Sequence, residues 1–154
     1  MFKPWKPLTP KTTQRYYCVM IPPYDVNGNL PPGIHTATLE EVKARCGISP
    51  YRRQLLKGLE MLVANLQSAG CRILLLDGSF ITAKVMPGDF DGLWLTEGVD
   101  ATKLDPVLLR RSSRSGQEWR EAMKRKYKGE VFPTTWGSAM LDFFQTDKLS
   151  GDRK

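Results

Sequence analysis

Two aspartates at positions 89 and 91 and a Gly78-Ser79 pair upstream are the residues in this chain whose types and spacing suit chemistry. On a strand, carboxylates at i and i+2 project from the same face, so Asp89 and Asp91 can share one or two divalent cations. In phosphoryl or nucleotidyl transfer such cations neutralise triphosphate charge and stabilise the attacking and leaving oxygens. Gly78 and Ser79, at the end of an apolar run, offer backbone N–H groups and a hydroxyl to phosphate oxygens. The stretch from Leu76-Asp77-Gly78-Ser79 to Asp89-Phe90-Asp91 is therefore the expected functional centre.

These residues need elements to hold them. Thr38 with Glu41 forms a capping-box pattern that predicts a short helix over 39–46, ended by Gly47. Ser49 as N-cap, Pro50 in the first turn, the stripe Leu55, Leu59, Leu62, Leu66 and the terminator Gly70 predict a longer helix over 50–69. Ile73 to Leu76 reads as a strand buried on both faces, followed by one or two helical turns over 80–84, and 89–96 as a second strand. Asp105-Pro106 is expected to open a helix through Arg111, and 117–127 a charged helix. Val131-Phe132-Pro133 and Met140 to Phe144 are candidates for a further strand, as is Tyr16 to Ile21. The turn residues of Asp25 to Gly33 suit an ordered loop.

The order helix, strand, Gly-Ser, then Asp-Phe-Asp resembles the Gly-Ser…Asp-x-Asp signature of the DNA polymerase β-like nucleotidyltransferase superfamily, most closely its minimal bacterial members. Leu30-Pro31-Pro32-Gly33-Ile34-His35, the Gly-Ser stretch and Phe143-Phe144-Gln145 also resemble a small uncharacterised prokaryotic family assigned there, over about residues 20 to 147. The resemblance implies an α/β (α+β) fold, a small mixed sheet flanked by helices. It makes Gly78 and Ser79 contacts to a nucleoside triphosphate, and Asp89 and Asp91 ligands of magnesium or manganese. It also implies a third carboxylate on a neighbouring strand. Asp142 is the candidate, although Glu97, Asp105, Glu130 and Asp147 are available and no spacing selects among them. Two departures stand out. The arginine common just after Gly-Ser is absent, leaving Lys84 as the nearby phosphate-binding cation, and Gly92 follows the aspartate pair where an apolar residue is usual.

Composition bounds the rest. The 154 residues suit one domain, expected over 16–148, between a basic Pro-rich arm at 1–15 and a tail at 149–154. With 23 Lys and Arg against 16 Asp and Glu, the net charge of +7 favours anionic partners. Cys18, Cys46 and Cys71 lack zinc or redox spacing and read as reduced thiols. The absence of a long apolar run argues against a membrane span and for a cytoplasmic protein. His35, the sole histidine, reads as structural, Asp77 as a cap of the following turn. Arg52-Arg53 and the run Arg120, Lys124, Arg125, Lys126, Lys128 read as solvated helix faces that nucleic acid could use. Trp119, Tyr127, Phe132 and Trp136 are more readily core than base-stacking residues, and Trp94 faces either core or pocket.

Two functional classes follow. One is a metal-dependent nucleotidyltransferase acting on a nucleic-acid, protein or small acceptor. The other is a catalytically inactive module on the same scaffold that binds nucleic acid or a protein, as in a toxin–antitoxin or phage-defence pair. A metal-dependent phosphohydrolase or nuclease is a third, weaker reading.

Overall fold

Local capping sets the first two elements. The computed structural model describes residues 21–110 and 115–140. Helix α1 spans Leu39–Cys46 and α2 spans Pro50–Ser68. At α1 the Thr38 hydroxyl accepts from the Glu41 N–H at 3.2 Å, while a Glu41 oxygen accepts from the Thr38 N–H at 2.6 Å, the reciprocal box its sequence predicts. At α2 the Ser49 hydroxyl accepts from the Arg52 N–H at 3.1 Å, with Pro50 in the first turn where a missing N–H costs nothing. Leu55, Leu59, Leu62 and Leu66 are buried along one stripe.

That stripe packs against a three-stranded mixed sheet, the α+β arrangement expected from the sequence. Its strands are β1 (Leu74–Asp77), β2 (Phe90–Leu95) and β3 (Gly129–Thr134), in that spatial order. The central β2 runs antiparallel to β1 and parallel to β3. The ladder continues through Gly92, which pairs with Leu76 on one side and Val131 on the other. Phe80, Phe90, Trp94 and Val131 complete the core with the α2 leucines. Trp94 is therefore a core residue, 3% exposed. Within the described residues, β1 is an edge strand and all four of its residues are half-buried, which corrects the expectation of burial on both faces.

Helix α3 (Gly116–Tyr127) opens on a second capping box, Ser115 with Glu118, and ends at Lys128, whose φ of 66° turns the chain directly into β3. This one-residue joint rests on α2. A Cβ at Gly58 would lie 1.7 Å from the Tyr127 carbonyl oxygen, so only glycine lets the end of α3 approach so closely.

The helix expected from Asp105 through Arg111 is instead a short 3-10 turn, Pro106–Leu108. Asp105 accepts from the Val107 N–H at 3.0 Å, and its other oxygen is taken by the Tyr127 hydroxyl at 2.5 Å and by Lys126. The chain leaves this turn extended at Leu109, and the Trp119 indole N–H donates to the Val107 carbonyl at 2.8 Å. Tertiary partners have replaced the helix's own bonds. The one or two helical turns expected over 80–84 are a single 3-10 turn, Ser79–Ile81. The arm at 1–15, the tail at 149–154, Cys18, and nearly all of the candidate strands at 16–21 and 140–144 lie outside the described residues.

Two outcomes test this packing. Gly58→Ala should destabilise the protein by about 1–3 kcal/mol in urea unfolding through overpacking, despite alanine's advantage of roughly 1 kcal/mol within a helix. A gain in stability would show that α3 does not touch α2 there. Burial raises the Asp105 carboxyl, but bonds from Lys126, Tyr127 and Val107 outweigh that and hold its pKa below the ordinary range. The stabilisation is complete above the unfolded carboxylate value, about 3.9, and is lost as pH falls through the lower folded one. Asp105→Asn should therefore flatten the acid limb of the stability profile, and an unchanged limb would refute this role.

Candidate functional site

Strand register gathers the acids. Asp91 on β2 pairs with Asp77 on β1 and with Glu130 on β3. Residues in register on neighbouring strands share a face, and Asp89, one residue ahead of β2 rather than inside the strand expected over 89–96, brings its carboxylate to the same cluster. Oxygens of Asp89, Asp91 and Glu130 lie within 4.8 Å of one another. Both aspartates are half-buried, whereas Glu130 is only 6% exposed. Among the described residues, then, the third carboxylate beside the pair is Glu130, and the candidate Asp142 lies outside them.

A cluster of like charges in so small a space needs counter-charge. One turn apart on α3, Arg120 and Lys124 supply it. Arg120 Nε is 3.0 Å from Glu130 Oε2, and Lys124 Nζ is 2.5 Å from Glu130 Oε1 and 2.8 Å from Asp89 Oδ2. Asp89 first and Glu130 second raise the Lys124 pKa well above that of a free lysine, so its ammonium is fully charged at neutral pH. The guanidinium of Arg120 also lies 5.4 Å from the Phe132 ring centroid.

Gly78 is required by two independent constraints. Its φ of 77° is a region open mainly to glycine, and a Cβ there would lie 2.5 Å from Asp91 Oδ2. The Gly-Ser turn is thereby pressed against the Asp91 carboxylate, with Ser79 opening the 3-10 turn that follows.

Behind this turn stands a residue that charge patterning misassigned. Arg52 is 1% exposed, not part of a solvated face. Its Nε donates to the Cys46 carbonyl at 2.6 Å, Nη1 to the Lys84 carbonyl at 2.5 Å, and Nη2 to the carbonyls of Phe80 and Thr82. Next to it, the Tyr51 hydroxyl donates to the Pro87 carbonyl at 2.7 Å. The first turn of α2 thus holds the connection from Gly78 to Asp89. Burial pushes up the pKa of the neighbouring Cys46 thiol, and Arg52 opposes that in part. Lys84 contributes its carbonyl to this clamp, and its side chain is exposed.

A cleft of about 250 Å³ opens beside Asp89, lined by Tyr51, Gln54, Leu55, Gly88, Lys124 and Lys128. Three other residues singled out in the sequence make structural contacts, while Trp136, expected in the core, is 45% exposed. His35 Nε2 donates to the Pro31 carbonyl at 2.8 Å, Arg53 to the Gly47 carbonyl at 3.1 Å, and Trp119 packs edge-on against Phe132. Of the basic run on α3, Arg120 and Lys124 meet the acid cluster and Lys126 meets Asp105. Cys46 and Cys71 are free thiols. Asp77 ends β1 opposite Asp91.

Glu130 carried one sequence signal, an acid heading an apolar strand segment as Asp89 and Asp91 do. Its pairing with Asp91 carried none. The chain belongs to a family of unknown function (DUF6932), whose model matches residues 22–154. No curated protein and no solved structure matches it. Among the described residues, no helix is long and apolar enough to cross a membrane.

Arg52→Lys keeps the charge but cannot reproduce the planar fork that reaches four carbonyls, leaving buried acceptors unpaired. The expected loss is roughly 2–4 kcal/mol in denaturant unfolding, with faster amide exchange over 80–84 than over β2. Equal acceleration in both segments would deny Arg52 its specific hold on the loop.

Proposed function

We propose, from the site itself, that this protein is a metal-dependent nucleotidyltransferase, transferring a nucleotidyl group from a nucleoside triphosphate to a hydroxyl or phosphate acceptor. The observation that carries this reading is the convergence of Asp89, Asp91 and Glu130 on one sheet face with the Gly78 turn pressed against Asp91. The likeness of Gly78-Ser79 and Asp89-Phe90-Asp91 to the nucleotidyltransferase signature supports it.

The donor set fits the cofactor. Three carboxylates, with no histidine or thiolate among them, provide the hard oxygens that magnesium or manganese prefers. Held there, the ion supplies positive charge against the triphosphate and the departing pyrophosphate oxygen. Asp89, just ahead of β2, and Asp91 within it would serve as its ligands, and Glu130 would complete the set from β3. Gly78 and Ser79 orient the phosphates, and exposed Lys84 is a further phosphate contact. The cleft beside Asp89 leaves room for part of the nucleotide or its acceptor.

One observation favours a second reading, a non-catalytic module that binds nucleic acid or a protein partner. Lys124 already bridges Asp89 and Glu130, as it would in a scaffold that had given up its cation. The two readings diverge on calorimetry. A nucleotidyltransferase should bind at least one of ATP, GTP, CTP or UTP with magnesium, and the double variant Asp89→Ala, Asp91→Ala should abolish that binding. Triphosphate binding that survives the double variant removes the metal role. For the module, the double variant should leave partner binding unchanged, and binding to nucleic acid should fall steeply with salt. Analysis of the product released from a bound triphosphate separates nucleotidyl transfer from hydrolysis.

A further inference from the structure

Lys124 and Arg120 both neutralise Glu130, but they are not equivalent. Arg120 reaches one oxygen of one acid. Lys124 spans two acids, with its ammonium 2.5 Å from Glu130 Oε1 and 2.8 Å from Asp89 Oδ2. Those acids, with Asp91, form the set whose oxygens converge within 4.8 Å. An ammonium seated between two carboxylates occupies the same two side chains that a shared cation would use, and two positive centres cannot occupy so small a space without strong repulsion.

Lys124 also has somewhere to go. Its side chain is 45% exposed and forms part of the wall of the cleft that Lys128, Tyr51 and Gln54 line. A lysine stem is flexible, and Arg120 remains on the second oxygen of Glu130 when Lys124 leaves, so the buried acid is not stranded. We propose that Lys124 is a displaceable internal counter-ion: it bridges Asp89 and Glu130 until a divalent cation takes those oxygens, then turns into the cleft beside Lys128, where phosphate oxygens become its partner. This rests on the metal site of the proposed function. It follows that cation and triphosphate bind cooperatively, because each relieves a cost the other would otherwise meet.

The test is a titration of manganese alone into the full chain, as wild type and as Lys124→Met. Removing a unit charge a few ångströms from a divalent ion should tighten manganese binding by roughly tenfold or more. Arg120→Met, which removes a charge from Glu130 but leaves the Lys124 bridge in place, should tighten it by less. Adding a non-hydrolysable triphosphate should increase manganese affinity more in the wild type than in Lys124→Met. Equal manganese affinity in wild type and Lys124→Met overturns the proposal.

A readout on the wild type guards against a variant that fails to fold. Magnesium should abolish or shift the side-chain ammonium resonance of bridged Lys124, and a resonance unmoved at saturating magnesium overturns the proposal. Tighter manganese binding by Lys124→Met without any triphosphate binding would sustain the displacement and sink the nucleotidyltransferase reading. Failure of both proteins to bind manganese would sink both.

Discussion

A buried guanidinium is the constraint on which the arrangement depends. Arg52 has no carboxylate partner among the bonds that hold it; its charge is met by backbone carbonyls from the end of α1 and from the loop after Gly78. Burying such a charge is costly unless most of its donors are satisfied, and the planar fork of arginine satisfies several acceptors at once. Folding α2 against the sheet therefore also shapes the loop. The Phe80 ring beneath the guanidinium, 5.2 Å from its carbon to the ring centroid, belongs to the same core. Hydrophobic packing and polar satisfaction act on the same loop, and its conformation presents Gly78 to Asp91.

The second constraint is electrostatic. Asp89, Asp91 and Glu130 would repel one another on a bare sheet face, and Glu130 is too buried to rely on water. Two cations on α3 offset this, and they can do so because Arg120 and Lys124 are spaced i, i+4 and thus share a helix face. The position of α3 is in turn set by its one-residue joint to β3 and by the missing side chain at Gly58. A steric allowance on α2 thus bears on charge balance at the site, through the placement of α3. The arrangement sets a cluster of negative charge against two positive ones on α3.

Much of the fold was legible because its signals are local. The capping box at Thr38, Ser49-Pro50 at the start of α2 and its leucine stripe each act within a few residues, so they mark helices wherever the chain goes. Where local signals competed with distant partners, they lost. Asp105-Pro106 opens a turn in either case, but Tyr127, Lys126 and Trp119 hold the chain in a short 3-10 turn there.

The same division runs through the site. The sequence by itself determined that the aspartate pair stands at the start of a strand, and that a glycine turn ends the strand before it, since both signals are local. Only the tertiary structure decided that Glu130 lies beside Asp89 and Asp91, that Arg52 is buried rather than solvated, and that Lys124 meets the acids. Each of those depends on strand register or on which helix face meets which strand. Register and packing are settled by burial and charge summed over residues far apart in the chain, and no short stretch of sequence contains that sum.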